Sequence, residues 1–437
     1  MPPSEVAVVA ADVRQPIDGR WVGPWVLAAG AFLLLGMRQT FTVPLTFGLS
    51  AGQFLLYIGA GLVAMVSAAG RSVVANRWLT VALCGYLVAS LVSYGAAMNR
   101  GTVVRGIEFG DRYVFSDLAL TAMVIAILTS ITSRARVQLL IKGLLLGGAL
   151  SSAFAIVRLS IGTDLAPLFT LPGLKTSDFV LVTALAREGI DRPQGSAGHP
   201  LELAGVLTVI IPLGVAVVAA ARHRGQRAWP WMACTGVLIC GALVTVSRSV
   251  LVGLTVAVLA MAWRWPITRL AATLLAAVAA TGLGLLLNVQ VLGAIMASFG
   301  NAATDSSIAS RGYGATYVAT HFRDHFWVGQ GAGMYPAYRQ PVLDNQYLSR
   351  LMETGALGLI SFVALLGVAL VLALRASAAA DPVTAELAGG VSGSLAALAA
   401  ISLILDVSGF IQIWTVTWIL VAMSTVLWSL SRRSSPP

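Results

Sequence analysis

Cations, aromatic rings and one carboxylate gather in a polar stretch from about Ser298 to Leu343 that closes on Asp344-Asn345-Gln346-Tyr347-Leu348. It supplies Ser310-Arg311-Gly312-Tyr313, then Arg323, His325 and Trp327, then Gly329, Gly331 and Gly333, then Tyr335, Tyr338 and Arg339. Guanidinium groups suit phosphate because a planar fork makes paired, charge-assisted hydrogen bonds, and aromatic faces suit the apolar faces of sugars. The same residues also fit an interfacial aromatic belt with scattered charges.

Two further arginines lie in other connections. Asp191-Arg192-Pro193-Gln194-Gly195-Ser196-Ala197-Gly198-His199-Pro200 sets Arg192 just before a helix expected to start near Pro200, whose exposed amides complement an anion. A Pro/Gly turn with a solvated arginine is the competing reading, and His199 alone reads as structural or interfacial rather than as a base. Val246-Ser247-Arg248-Ser249 separates two apolar spans with almost no loop, so Arg248 sits near hydrocarbon. It either lines a wet cavity or snorkels to the headgroups.

Glu353 lies nine residues past Asp344, about 13 Å deeper along a helix. It could hold an arginine in a cavity or pair with Arg350 on its own helix face. His321 and His325 could meet on one helix face, but no third ligand is evident nearby, so no metal is expected. Gly329-Gln330-Gly331-Ala332-Gly333 has no strand before it and reads as a chain reversal rather than a dinucleotide loop.

The elements that must position these groups are membrane helices. The 437 residues are 57% hydrophobic and only 11% charged, with mean hydropathy +0.85, whereas soluble domains are about a quarter charged. The sequence predicts an all-α, polytopic integral membrane protein with about twelve transmembrane helices. They are expected at 22–38, 45–69, 77–98, 114–132, 138–159, 200–221, 229–246, 249–264, 268–290, 346–374, 385–405 and 410–430. Outer connections are expected at 99–113, 160–199 and 291–345, the last being a large loop between helices 9 and 10.

With both termini inside, every short cytoplasmic turn is basic, as retention of Lys and Arg on that side requires. That side then carries 15 basic and 5 acidic residues against 13 of each outside, so the whole net charge of +10 is cytoplasmic. The excess therefore reflects topology and anionic lipid, not nucleic acid. Residues 1–21 lack the order of a cleavable signal and read as a cytoplasmic tail, 22–430 as one transmembrane domain, and 431–437 as a second tail. Cys84, Cys234 and Cys240 all fall in expected spans, where a thiol acts as a small apolar group.

Taken together, the motifs resemble the O-antigen ligase and polymerase superfamily of membrane glycosyltransferases. The resemblance runs from about Arg192 to Phe362 and rests on five pieces in order. They are Arg192 to Ala204, Thr245-Val246-Ser247-Arg248, Arg311, the Gly-x-Gly-x-Gly element, and Asp344-Asn345-Gln346-Tyr347-Leu348 with Glu353-Thr354-Gly355-Ala356-Leu357-Gly358. Many O-antigen ligases carry His-Asn where this sequence has Asp344-Asn345; other branches have Asp there.

The resemblance implies inverting, metal-independent transfer of a glycan from a polyprenyl-pyrophosphate donor to an acceptor hydroxyl, on the outer face of the cytoplasmic membrane. Asp344 is then the base, and Arg192, Arg248 and Arg311 hold the pyrophosphate. His199, Tyr313, Arg323, His325, Tyr335, Arg339, Asn345, Tyr347 and Glu353 are supporting residues, and Gly329, Gly331 and Gly333 shape the loop. No cofactor is implied, and the partners are the lipid-linked glycan, a glycan, lipid or protein acceptor, and membrane lipids. Three alternatives stay open: a glycan-repeat polymerase of the same superfamily, a flippase for the same lipid-linked glycan, and a peptidoglycan polymerase of the shape-and-division type. Against the flippase, the expected spans contain almost no ionisable residues apart from Glu353 and Asp406.

Overall fold

A computed structural model describes residues 22–46, 48–68, 76–101, 104–177, 186–187, 190–286, 290–300, 306–335 and 339–433. The expected N-terminal tail, Tyr338 and the last four residues lie outside them. In chain order the helices are α1 (Val22–Gly36), α2 (Ala51–Ala68), α3 (Arg77–Asn99), α4 (Val104–Ser130), α5 (Arg134–Ile161), α6 (Pro200–His223) and α7 (Trp229–Val244). Then come α8 (Arg248–Ala262), α9 (Ile267–Leu286), α10 (Gln290–Gly300), α11 (Ser306–His321), α12 (Gln346–Ala376), α13 (Pro382–Ile401) and α14 (Ile411–Arg433). Among the described residues, the strands are two short antiparallel pairs, β1 (Phe41–Thr42) with β2 (Lys175–Thr176) and β3 (Ala186–Arg187) with β4 (Ile190–Asp191).

The chain is thus an all-α membrane protein, and each expected span overlaps a helix among the described residues. Seven of the described helices are long and apolar enough to cross a membrane: α3, α4, α5, α6, α12, α13 and α14 (counted from Gly106 in α4). The described parts of α1, α2, α7 and α8 are shorter apolar helices; α8, with 15 residues, is about 22 Å long. The count of about twelve crossings therefore depends on helices shorter than the hydrocarbon layer.

Two boundaries differ most from expectation. Residues 104–113 are helical rather than loop, because Glu108, Asp111 and Arg112 occupy exposed positions of α4 and a helix tolerates them there; the Tyr94 hydroxyl donates to Asp111 from α3. The start of the second span moves from 45 to Ala51, because Val43 N donates to Leu49 O (2.9 Å) and closes a turn ahead of the helix. The large connection at 291–345 likewise contains α10 and α11.

α6, α13 and α14 form the interior, with α13 packed on both α6 and α8, and α12 on α3 and α14. α6 starts where the sequence suggests. His199 Nδ1 accepts from Leu201 N (3.0 Å) as the N-cap, and Pro200 occupies the first turn, where a missing N–H costs nothing. Glu202 in that turn is buried and accepts from Gln39 Nε2 (2.7 Å), Gly198 N (3.0 Å) and Gln412 N (2.8 Å). One carboxylate thereby ties together the loop after α1, the connection carrying Arg192, and the start of α14.

α12 is broken. Gly355 adopts φ 67°, ψ −167° within it, so the helical ladder stops at Thr354 and restarts at Ala356. The freed backbone groups are taken up by the preceding loop. Gln330 N donates to Met352 O (2.8 Å), Gly331 N to Glu353 O (2.9 Å), and Ala356 N to Phe326 O (2.8 Å). Such pairing is what a break in a helix long and apolar enough to cross a membrane requires, because an unsatisfied amide in hydrocarbon costs several kcal/mol.

Candidate active site

Asn345 caps α12, its Oδ1 accepting from Tyr347 N (3.0 Å) and Leu348 N (3.1 Å), while its Nδ2 donates to Leu403 O (2.9 Å). That double role fixes the residue before it. Asp344 lies 3.8 Å from Arg311 Nε, and both line a cavity of about 350 Å³ whose other walls are mainly apolar, among them Ile308, Val342, Leu348 and Leu403. Both side chains are roughly 70% covered (30% and 28% exposed). Burial raises the Asp344 carboxyl above its ordinary value, and the Arg311 charge pulls it partway back. Arg311 Nε is buried without a hydrogen-bond acceptor, so the pair is held by charge at a distance rather than closed as a hydrogen bond.

Arg192 Nε donates to Thr245 O (2.7 Å), which joins the second connection to the turn between α7 and α8. That turn is strained: Val246 is fully buried and has φ 47°, a region costly for a β-branched residue. Ser247 follows in extended conformation, and Arg248 is the first residue of α8. α8 packs on α13, and the chain leaving α13 supplies Leu403 to the Asp344 cavity. The two arginine elements therefore approach each other through Thr245, and α8 and α13 link them to the Asp344–Arg311 pair. His199 is close enough to feel the Arg192 charge, and its ring lies tilted against Phe410 with centroids 5.7 Å apart. Burial, then the Arg192 charge, pushes its imidazole down to about 4. Neutral and capping a helix, His199 serves the architecture.

The three loop glycines have φ 67°, 133° and 69° at Gly329, Gly331 and Gly333. A Cβ on Gly329 would stand 2.2 Å from Glu353 O, and one on Gly333 2.4 Å from Tyr113 Cβ. The element is a reversal pressed against the break in α12. Arg100 Nη2 anchors it from outside by donating to Gly329 O (2.8 Å).

Behind this reversal the Arg350–Glu353 pair, one of the two arrangements expected of Glu353, belongs to a larger buried group. Arg350 is fully buried; it donates to Ser408 Oγ (2.9 Å), pairs with Glu353 Oε2 (3.3 Å), and sits 5.0 Å over the Tyr113 ring. Tyr86 Oη contacts both Arg350 and buried Asp117. Asp406 accepts from Ser349 Oγ (2.9 Å) and Ser408 Oγ (3.0 Å), and burial raises its carboxyl despite the Arg350 charge. The expectation that helix interiors hold almost no ionisable groups beyond Glu353 and Asp406 is thus corrected by Asp117, Glu202 and Arg350. The signal was available: each is a lone charge inside or at the edge of an apolar run.

The remaining candidates separate. Tyr347 Oη donates to Ala399 O (2.9 Å) and Tyr335 Oη to Pro341 O (2.6 Å), so both phenols act as braces. Tyr313, Arg323, His325 and Arg339 are exposed, and among the described residues none of them lines the Asp344 cavity. His321 and His325 do not share a helix face, because α11 ends at His321 and residues 322–325 form a 3-10 turn. No group of three His, Cys, Asp or Glu suited to a metal occurs among the described residues.

Residues 233–363 match the family model for O-antigen ligase. Over this segment the chain is similar to the O-antigen ligase and polymerase superfamily of membrane glycosyltransferases, as the motifs imply. The match takes in Ser247-Arg248, Arg311, the three loop glycines, Asp344-Asn345 and the Gly355 break; Arg192 and His199 precede it. No curated protein matches the chain.

Proposed function

We propose that the protein transfers a glycan from a polyprenyl-pyrophosphate donor to an acceptor hydroxyl, with inversion, at the outer face of a bacterial-type cytoplasmic membrane that it crosses about twelve times with both termini inside. The observation that carries this reading is the half-buried Asp344–Arg311 pair lining a cavity at the start of a broken helix, inside the O-antigen-ligase segment. The acceptor oxygen attacks the anomeric carbon, the bond from that carbon to the pyrophosphate oxygen breaks, and the lipid pyrophosphate leaves with the electron pair. Asp344 takes the hydroxyl proton. An unperturbed carboxylate, at about 3.9, is a weak base for a sugar hydroxyl, and burial of Asp344 works in the useful direction.

The pair also supplies a trigger. Before donor binds, Arg311 neutralises Asp344. An arriving pyrophosphate carries more charge than one carboxylate and competes for the guanidinium, releasing Asp344 as the step needs it. Arg192 and Arg248 add cations where the leaving group develops charge.

Purified protein given a lipid-pyrophosphate oligosaccharide and an acceptor is expected to release polyprenyl pyrophosphate, and Asp344→Asn and Arg311→Ala to stop that release. Full turnover in both variants removes the residue assignment. Ligase and repeat polymerase are separated in a deletion strain: loss of long chains marks polymerisation, and accumulation of full-length lipid-linked chains marks ligation. The buried Asp117, Arg350 and Glu353 are what a flippase reading would use, and translocation in vesicles with the lipid linkage intact would favour it.

A further inference from the structure

At the end of the molecule away from Asp344, α3 begins and α12 and α14 finish around a cavity of about 680 Å³. Its lining includes Arg77, Arg375, Arg432 and Arg433 and no carboxylate. Among the described residues none of the four is in an ion pair, whereas Arg134 and Arg269, also near helix ends, are paired with Asp381 and Glu386. Four like charges around one hollow repel each other, and a bound anion reverses the sign of that contribution. The C-terminal dipoles of α12 and α14 ease three of the arginines in place but do not account for the hollow.

A second observation is independent of charge. Thr425 lines the same cavity at 1% exposure, and its Oγ1 has no hydrogen-bond partner. Other hydroxyls of α14 close onto their own helix: Thr415 donates to Ile411 O (2.8 Å) and Thr417 to Ile413 O (2.8 Å). Thr425 does neither, although a buried hydroxyl without a partner is costly. A ligand oxygen in the cavity would satisfy it.

The surroundings distinguish a lipid from a soluble phosphate. Arg77 stacks over Trp78 (4.8 Å) and Arg432 over Trp428 (5.8 Å), and Trp78 is largely exposed. Indoles flanked by arginines at the ends of spanning helices mark the headgroup level of a bilayer. We infer that this cavity binds the headgroup of an anionic phospholipid, and that a two-phosphate headgroup of the cardiolipin kind fits its four guanidiniums and one hydroxyl. The site faces the leaflet opposite the one that Asp344 serves.

The test is native mass spectrometry of the full-length protein released from micelles doped with cardiolipin, phosphatidylglycerol or phosphatidylcholine. Wild type is expected to retain cardiolipin at least about tenfold over phosphatidylcholine, as cationic headgroup sites do. Arg375→Gln/Arg432→Gln is expected to abolish that preference, and Arg222→Gln/Arg224→Gln, in another basic turn, to keep it. Thr425→Val, which changes no charge and little volume, is expected to weaken retention severalfold. Equal retention by wild type and both cavity variants, or equal loss in the Arg222/Arg224 control, overturns the site. Displacement of the lipid by an equimolar amount of inorganic pyrophosphate overturns the lipid as its occupant. If the double variant does not fold, Thr425→Val alone decides.

Discussion

Arg192 Nε and the Thr245 carbonyl oxygen, 53 positions apart in sequence, are 2.7 Å apart in space. This contact fixes the guanidinium through its Nε, an atom lysine lacks. Arg192→Lys is therefore expected to behave like Arg192→Ala, each lowering polyprenyl-pyrophosphate release about 100-fold. A lysine variant at full rate would mean that charge alone is used at this position.

Asp344 must be ionised to accept a proton, so turnover is expected to rise with pH through its raised pKa. Burial raises that value and Arg311 lowers it, so removing the cation leaves burial unopposed. Arg311→Gln is expected to shift the acid limb of the pH–rate profile to higher pH in whatever activity it retains, and Asp344→Asn to show no turnover at any pH. An unmoved limb in Arg311→Gln would detach it from Asp344.

Gly355 is in the left-handed region, and a Cβ there would lie 2.4 Å from the Trp327 carbonyl carbon. Gly355→Ala is expected to destabilise the protein by more than the backbone strain alone, itself about 1–3 kcal/mol, and to lower the thermal midpoint in detergent. Gly367→Ala, further along α12 with nothing within 4 Å, is expected to be neutral or slightly stabilising.

Arg350 is enclosed with Glu353, Asp117 and Asp406 around it. Arg350→Met strands these carboxylates and is expected to cost about 3–5 kcal/mol. Arg350→Met/Glu353→Gln is expected to recover part of that loss, because the second change removes one stranded charge. Thermal unfolding of the four species in one detergent gives the coupling, and strict additivity would mean that the pair is not energetically linked.

What the sequence made legible follows from where physics is local. Hydrophobic runs placed the helices, since about 20 apolar residues admit little else in a membrane. Pro200 marked a helix start through first-turn chemistry that needs only neighbours. The Asp344–Arg311 pair lay within one polar stretch whose composition already paired cations with a carboxylate. The rest depended on contacts between distant segments. The apolar run after Glu202 marks it as a lone charge at a span's edge, but it becomes a clamp only when Gln39 and Gln412 arrive from the other ends of the chain. Arg350 looked like a simple partner for Glu353 because Tyr86, Asp117 and Ser408 belong to other helices. The break at Gly355 was hidden in an apolar run that scores as one continuous span.

That break also sets a length. Unbroken, the 31 residues of α12 would make a rod about 46 Å long, well beyond a hydrocarbon layer of about 30 Å, and the excess would have to be absorbed by tilt or by thickening of the bilayer. Interrupted at Gly355, the stretch Ala356–Ala376 is about 31 Å long, enough to span the layer by itself with Gln346–Thr354 as a separate stub. Bilayers of different thickness are then expected to change the inclination of the long segment, while the Asn345–Leu403 hydrogen bond keeps Asp344 in place. Geometry at the carboxylate is expected to be insulated from hydrophobic mismatch.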